Sequence, residues 1–101
     1  MNEERIAELI KRRRLQLLIH SVIYFRFDET LISDWQWTEW AKELVELQKD
    51  YPEIAKTCPY ADAYEGFDYS TGFNLPLHDP WAVNKALALL RYSHERKGES
   101  L

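Results

Sequence analysis

The chain has 101 residues, 46% hydrophobic and 14% aromatic, which suits one packed domain over 1–101 and excludes a disordered chain. Its single cysteine, Cys58, excludes an internal disulfide and suits a reducing cytoplasm; no apolar run approaches the roughly 20 residues of a membrane span, and Asn2, Glu3 and Glu4 do not open a signal peptide. The net charge of −4 is uneven, with six basic and three acidic residues in 1–27 against three basic and eleven acidic in 28–68, so the middle of the chain should repel nucleic acid.

Residues 3–27 read as one long helix. Asn2 is placed to cap it, and Glu3 and Glu4 complement the dipole of its first turn. Ile6, Leu9, Ile10, Leu17 and Tyr24 recur on one stripe. Leu15, Leu18, Ile19, Val22 and Ile23 widen that stripe over the second half, which is expected to be buried on more than one side. A strand over 15–27 is the alternative, although no turn signal precedes it. Lys11-Arg12-Arg13-Arg14 is the one charge run. It reads as a solvated helix face with Glu4 and Glu8 as acidic partners, because four consecutive residues spread round most of a turn and cannot all face one groove of a nucleic acid.

The helix is expected to stop near Asp28, with 28–32 as a short connection. Ser33 with Gln36 three residues on has the form of a capping box, and Asp34 adds a favourable charge to the start of a second helix over 34–50. Trp37, Trp40, Ala41, Leu44 and Leu47 form its core face; Glu39, Lys42, Glu43, Glu46 and Lys49 form its solvated face. Tyr51-Pro52 ends that helix, and Pro52 suits the first position of a short helix over 52–57. Residues 58–79 are irregular, yet they hold Tyr60, Tyr64, Phe67, Tyr69 and Phe73. A polar linker would not carry these, so the segment should pack down on the helices, with a further short helix at 60–65 as an option. Asp79-Pro80 starts a third long helix over 80–96. Ala82, Ala86 and Ala88 allow close helix contact there, Arg91, His94, Arg96 and Lys97 suit its C-terminal dipole, and Gly98 ends it. The expected class is all-α: a helical hairpin, a third long helix and an aromatic-rich irregular segment.

Few residues suggest chemistry. His20, His78, His94 and Cys58 match no zinc spacing, so no metal is expected, and His20 reads as a satisfied, partly buried side chain. Gly66, Gly72 and Gly98 are isolated and form no phosphate-cradling loop.

One stretch is more specific. Tyr24 is followed by Ile32-Ser33-Asp34-x-x-Trp37, then by Trp40-Ala41-Lys42-Glu43-Leu44 and the ending Tyr51-Pro52-Glu53. Over 5–54 this resembles the small N-terminal domain Ia of bacterial NAD-dependent DNA ligases. There a helix, a Tyr-Tyr or Tyr-His pair, Ile-Ser-Asp-x-x-Tyr-Asp, Leu-x-x-Glu-Leu and a Tyr/His-Pro-Glu ending occur in that order. The whole chain is similar to small stand-alone bacteriophage and prophage proteins labelled DNA ligase-related, and Ser70-Thr71-Gly72-Phe73-Asn74-Leu75-Pro76 and Val83-Asn84-Lys85-Ala86-Leu87 look like that group.

The resemblance implies a site. In the ligases, domain Ia closes over the nicotinamide mononucleotide (NMN) half of NAD. Tyr24, Asp34 and Trp37 fall on positions of that site; Phe25 replaces a polar ring and Thr38 replaces a second aspartate. A cationic nicotinamide ring wants aromatic faces and a few polar partners, which these residues supply in part. The ligase nucleophile motif Lys-x-Asp-Gly does not occur, so ligation is not expected and the chain is expected not to be an enzyme.

Two functions follow as expectations. The first is a non-catalytic interaction module of phage type, acting in the host cytoplasm by docking on a protein of DNA metabolism or antiviral defence. Its surface would be Tyr60, Asp62, Tyr64, Glu65, Phe67, Asp68 and Tyr69. It needs no cofactor, nucleic acid or membrane. The alternative is an NMN- or NAD-binding module built on the altered domain Ia site.

Overall fold

The computed structural model describes residues 2–96. It contains four helices, α1 (Glu3–Phe27), α2 (Asp34–Asp50), α3 (Pro52–Thr57) and α4 (Pro80–Arg96), and no strand among the described residues. All four spans are those expected from helix punctuation, and the structure shows the punctuation at work. The Asn2 side chain accepts from the Arg5 N–H at 2.9 Å. Ser33 Oγ accepts from the Gln36 N–H at 3.0 Å, and Asp79 Oδ2 accepts from the Ala82 N–H at 3.0 Å. Helix α1 stops because Asp28 takes a left-handed conformation, φ 53° and ψ 40°. The Asp28 and Glu29 N–H groups then both turn back to the Ile23 carbonyl, a closure more often made by glycine. The expected roles of Lys97 and Gly98 lie outside the described residues.

Helix α1 is the axis of the fold. α2, α3 and α4 each pack on it, whereas α2 and α4 do not pack on each other. Its second half is therefore buried on more than one side, as expected: Leu17, Leu18, Val22 and Ile23 are sealed from solvent. Each such side chain contributes about 1.5–3 kcal/mol by leaving water. From α2 come Ala41 and Leu44; from α4 come Ala82, Ala86 and Leu90, mostly small residues that bring the two backbones close. The larger Trp81, Leu87, Leu89 and Tyr92 of α4 stay exposed. Tyr24 departs from the expected stripe and is 53% exposed.

The stretch 60–65 is a run of turns and not a helix. Tyr60 has φ +65° and Gly66 φ +73°, so left-handed residues bracket the stretch and no helix can propagate. The Tyr64 and Glu65 N–H groups are satisfied by the Tyr60 and Asp62 carbonyls within the turns themselves. Tyr60 is pinned by its hydroxyl, which donates to Asp79 Oδ2 at 2.8 Å, the same oxygen that caps α4. Burial and this hydrogen bond push the Tyr60 phenol up to about 12.

The basic run of α1 is not a solvated face. Lys11 and Arg12 are exposed, but Arg13 donates from Nε to Glu43 of α2 at 2.9 Å, and Arg14 is buried. The Arg14 guanidinium donates to Gln48 Oε1 from Nε (3.0 Å) and Nη2 (2.8 Å). Its Nη1 faces the carbonyls of Ala55, Cys58 and Pro59 at 3.1–3.2 Å. These carbonyls lie at and just beyond the C-terminal end of α3, where no helical N–H remains to take them. Tyr64, fully buried, lies under the same guanidinium at 5.7 Å and donates from its hydroxyl to the Arg14 carbonyl at 2.6 Å. Gln48 Nε2 in turn donates to the Tyr64 carbonyl at 3.3 Å, closing a circuit of Arg14, Gln48 and Tyr64. Burial pulls the Arg14 guanidinium below its ordinary value and pushes the Tyr64 phenol up; neither shift changes its charge near neutrality.

Arg14→Met is expected to lower unfolding stability by about 3 kcal/mol, since it leaves several buried acceptors without a donor. Arg14→Lys restores the charge but cannot span Gln48 and three carbonyls at once, so it recovers only part of the loss. Arg12→Ala should stay within about 0.5 kcal/mol of the parent. Urea titration followed by circular dichroism measures all three; an Arg14→Met variant as stable as Arg12→Ala would show that the circuit holds nothing.

Candidate functional site

Helical spacing brings together the residues that the ligase resemblance singled out. His20, Ser21, Tyr24 and Phe25 form two i, i+4 pairs at the C-terminal end of α1. Asp34, Trp37 and Thr38 face them from the first turns of α2. The connection between the helices supplies Thr30, Leu31, Ile32 and Ser33, and Ser70, Thr71 and Gly72 form the remaining wall. Together they enclose an open cleft of about 220 Å³.

The cleft has one rigid side. Trp37 is partly buried, and its indole Nε1–H donates to the buried Ser21 Oγ at 3.3 Å. Phe67 meets the Trp37 ring edge-on at 6.1 Å and meets Tyr64 at 5.1 Å, so the indole is braced by the segment that Arg14 anchors. Gly72 presses onto the same place. A Cβ at residue 72 would collide with Ser21 Oγ and lie 2.8 Å from Ser21 Cβ and 3.2 Å from Trp37 Cζ2, so only glycine lets residues 70–72 approach this closely. Asp68 holds the approach to that wall by accepting from the Ser70 N–H (3.0 Å) and hydroxyl (2.6 Å), which keeps its carboxyl below the usual range.

The other side is an aromatic mouth. Tyr24 and Phe25 meet edge-to-face at 4.8 Å, and Phe25 meets Phe73 at 5.4 Å. All three rings are exposed, Phe73 by 64%. Exposed aromatic rings gathered at a concavity offer faces to a flat ligand.

Each site residue of the resemblance, Tyr24, Phe25, Asp34, Trp37 and Thr38, lines this single cleft. His20, Ser21, Ser70, Thr71 and Gly72 line it too and were not singled out. His20 and Ser21 were legible, since they stand one helical turn before Tyr24 and Phe25 on the same face. Residues 70–72 carried no such signal, because a tertiary contact with Ser21 places them. His20 also differs from its expected satisfied state. Its Nδ1 is buried without a hydrogen-bond partner, the ring tilts against Trp40 at 5.9 Å, and burial holds its pKa below the ordinary value.

The surface expected from 60–69 is only partly a surface. Tyr64 is fully buried, and Tyr60 and Phe67 pack against the core, so these three rings are committed to the fold. Asp62, Glu65, Asp68 and Tyr69 remain exposed. Among the described residues no group of three His, Cys, Asp or Glu side chains is placed to hold a metal ion, and no helix is long and apolar enough to cross a membrane.

Two outcomes test this geometry. Gly72→Ala is expected to destabilise the chain by about 1–3 kcal/mol and to shift the Trp37 indole N–H resonance, read by urea titration and NMR; an unchanged resonance would show that residue 72 does not press on Ser21 and Trp37. The lowered His20 pKa has a fixed sign. The unfolded chain takes that proton first, so stability is lost as pH falls from about 6.5 through the folded value, and an NMR titration of the His20 ring must show a midpoint below about 6.5.

No family model, no curated protein and no solved structure matches the chain.

Proposed function

We propose that this chain is a non-catalytic binding module whose cleft takes the nicotinamide end of a nicotinamide nucleotide, and that it shares ancestry with ligase domain Ia. The observation that carries the reading is convergence. Five positions that a sequence resemblance marks as a nicotinamide site are drawn from two helices and line one open concavity. The lining suits the ligand: aromatic faces from Tyr24, Phe25 and Trp37, a carboxylate from Asp34, and the hydroxyls of Thr30 and Thr38 for the amide and the ribose, beside those of Ser33, Ser70 and Thr71 that the fold already engages.

Size sharpens the reading. A cleft of about 220 Å³ falls below the roughly 300–1,000 Å³ of pockets that enclose a drug-sized molecule. It suits a ring with its sugar, not a whole dinucleotide. Binding alone is proposed because the chain has no Lys-x-Asp-Gly nucleophile. A protein-docking role at 60–69 loses its anchors once Tyr60, Tyr64 and Phe67 pack inward, since docking surfaces draw most of their energy from such rings.

The test is a titration of the intact, isotope-labelled chain with NMN and with nicotinamide riboside. Amide resonances of Tyr24, Phe25, Asp34, Trp37, Thr38 and Ser70–Gly72 are expected to move together and to saturate in the micromolar to millimolar range. Silence of these resonances with both compounds at millimolar concentration would overturn the proposal.

A further inference from the structure

The charges lining the cleft are as informative as its shape. Among the residues that line it, Asp34 is the one carboxylate, and there is no lysine or arginine. Basic side chains on the two helices that form the cleft are engaged elsewhere. Arg26 lies over the Phe27 ring at 5.9 Å; Lys42 lies over Tyr69 at 5.9 Å and pairs with Glu39 at 3.9 Å. His20 is the remaining titratable base, and burial favours its neutral form.

A phosphate group would find little here. Phosphate sites are built from arginine, lysine or free N–H groups at a helix start. The start of α2 does open on the cleft; Ser33 takes the Gln36 and Trp37 N–H groups, and the Asp34 carboxylate sits at the favourable end of the dipole, where its charge opposes an anion. An incoming phosphate would meet that carboxylate with no cation between them. A pyridinium ring meets the opposite situation, with one counter-charge, three aromatic side chains and a collar of neutral hydroxyls that match ribose.

We infer, on the footing of the nicotinamide reading of this cleft, that its ligand is a cationic nicotinamide nucleoside, and that Asp34 makes the site discriminate against the 5′-phosphate. The site reads a positively charged ring on an uncharged tail. NMN would then bind as a nucleoside burdened by its phosphate, and neutral nicotinamide would lack the charge that Asp34 recognises.

Calorimetry on the full chain at low ionic strength, with nicotinamide riboside, NMN and neutral nicotinamide as probes, tests this. Riboside is expected to bind most tightly, with NMN on the order of tenfold weaker. Added salt should narrow the difference between riboside and NMN, because it screens the repulsion. Asp34→Asn keeps the shape, is checked for an unchanged helical circular-dichroism signal, and should weaken riboside while closing the gap to NMN. NMN binding as tightly as riboside, or an Asp34→Asn variant with unaltered preference, overturns the inference while leaving the nicotinamide reading in place. Failure of every nicotinamide compound to bind overturns both.

Discussion

The Arg14 guanidinium sits in the interior with neutral oxygens as its hydrogen-bond partners. No carboxylate pairs with it among the described residues; a glutamine amide and three backbone carbonyls take its N–H groups. Burying such a charge costs several kcal/mol, and hydrogen bonds to a charged donor return about 1.5–3 kcal/mol each, so the arrangement holds only if nearly all of them form together. That requirement is a constraint on chain path. Gln48 must come from α2, Ala55 from α3, and Cys58 and Pro59 from the loop behind it, all at one point on α1. Where the irregular segment begins its path follows from meeting that condition.

From Arg14 the order passes outward in a short chain of contacts. Tyr64 closes the circuit by its hydroxyl and by its carbonyl. Phe67 leans on Tyr64 and braces Trp37; Trp37 donates to Ser21; Ser21 leaves room for Gly72 and nothing larger. A second tie runs from Tyr60 to Asp79 and sets the start of α4. One wall of the cleft is thus held by the same interactions that hold the core, while Tyr24 and Phe25 of the lining, with Phe73 against Phe25 outside it, are exposed and meet one another. A site with one fixed wall and one adaptable wall can orient a flat ring without being preshaped to it.

What could be read from residues alone divides along the same line. The four helix spans were legible because their signals are local: Asn2, Ser33, Pro52 and Asp79 act on backbone groups within a turn of themselves. The apolar stripe of α2 was legible by period, and so were Ala82 and Ala86 of α4, whereas Ala88, also expected at the contact, is exposed because it lies two residues past Ala86, off the buried face. Arg14 was not. Within Lys11-Arg12-Arg13-Arg14 nothing local marks which arginine turns inward, and its partners lie 34 to 45 positions away in the chain. The irregular segment was legible as irregular and packed down, but the optional helix at 60–65 was not borne out for the same reason, since its turns answer to Arg14 and Asp79 and not to helix propensity. Tyr24 shows the converse case: its position fits the apolar period, but at the end of α1 no neighbour covers it.

If the proposed kinship with ligase domain Ia holds, the cleft can be compared with the ligase pattern position by position. Trp37 stands where a stacking tyrosine is expected. It has no hydroxyl, yet its indole N–H donates to Ser21 Oγ and so holds the ring against α1. Thr38 and Phe25 each remove polar or charged groups from the lining. With them gone, Asp34 is left as the one carboxylate among three aromatic side chains, and His20 adds no compensating positive charge. A second aspartate would have made the cleft a doubly negative site suited to a metal ion or a stronger cation. On the proposed reading a single one balances one delocalised positive charge, and the differences from the ligase pattern fit the cleft to the ring alone.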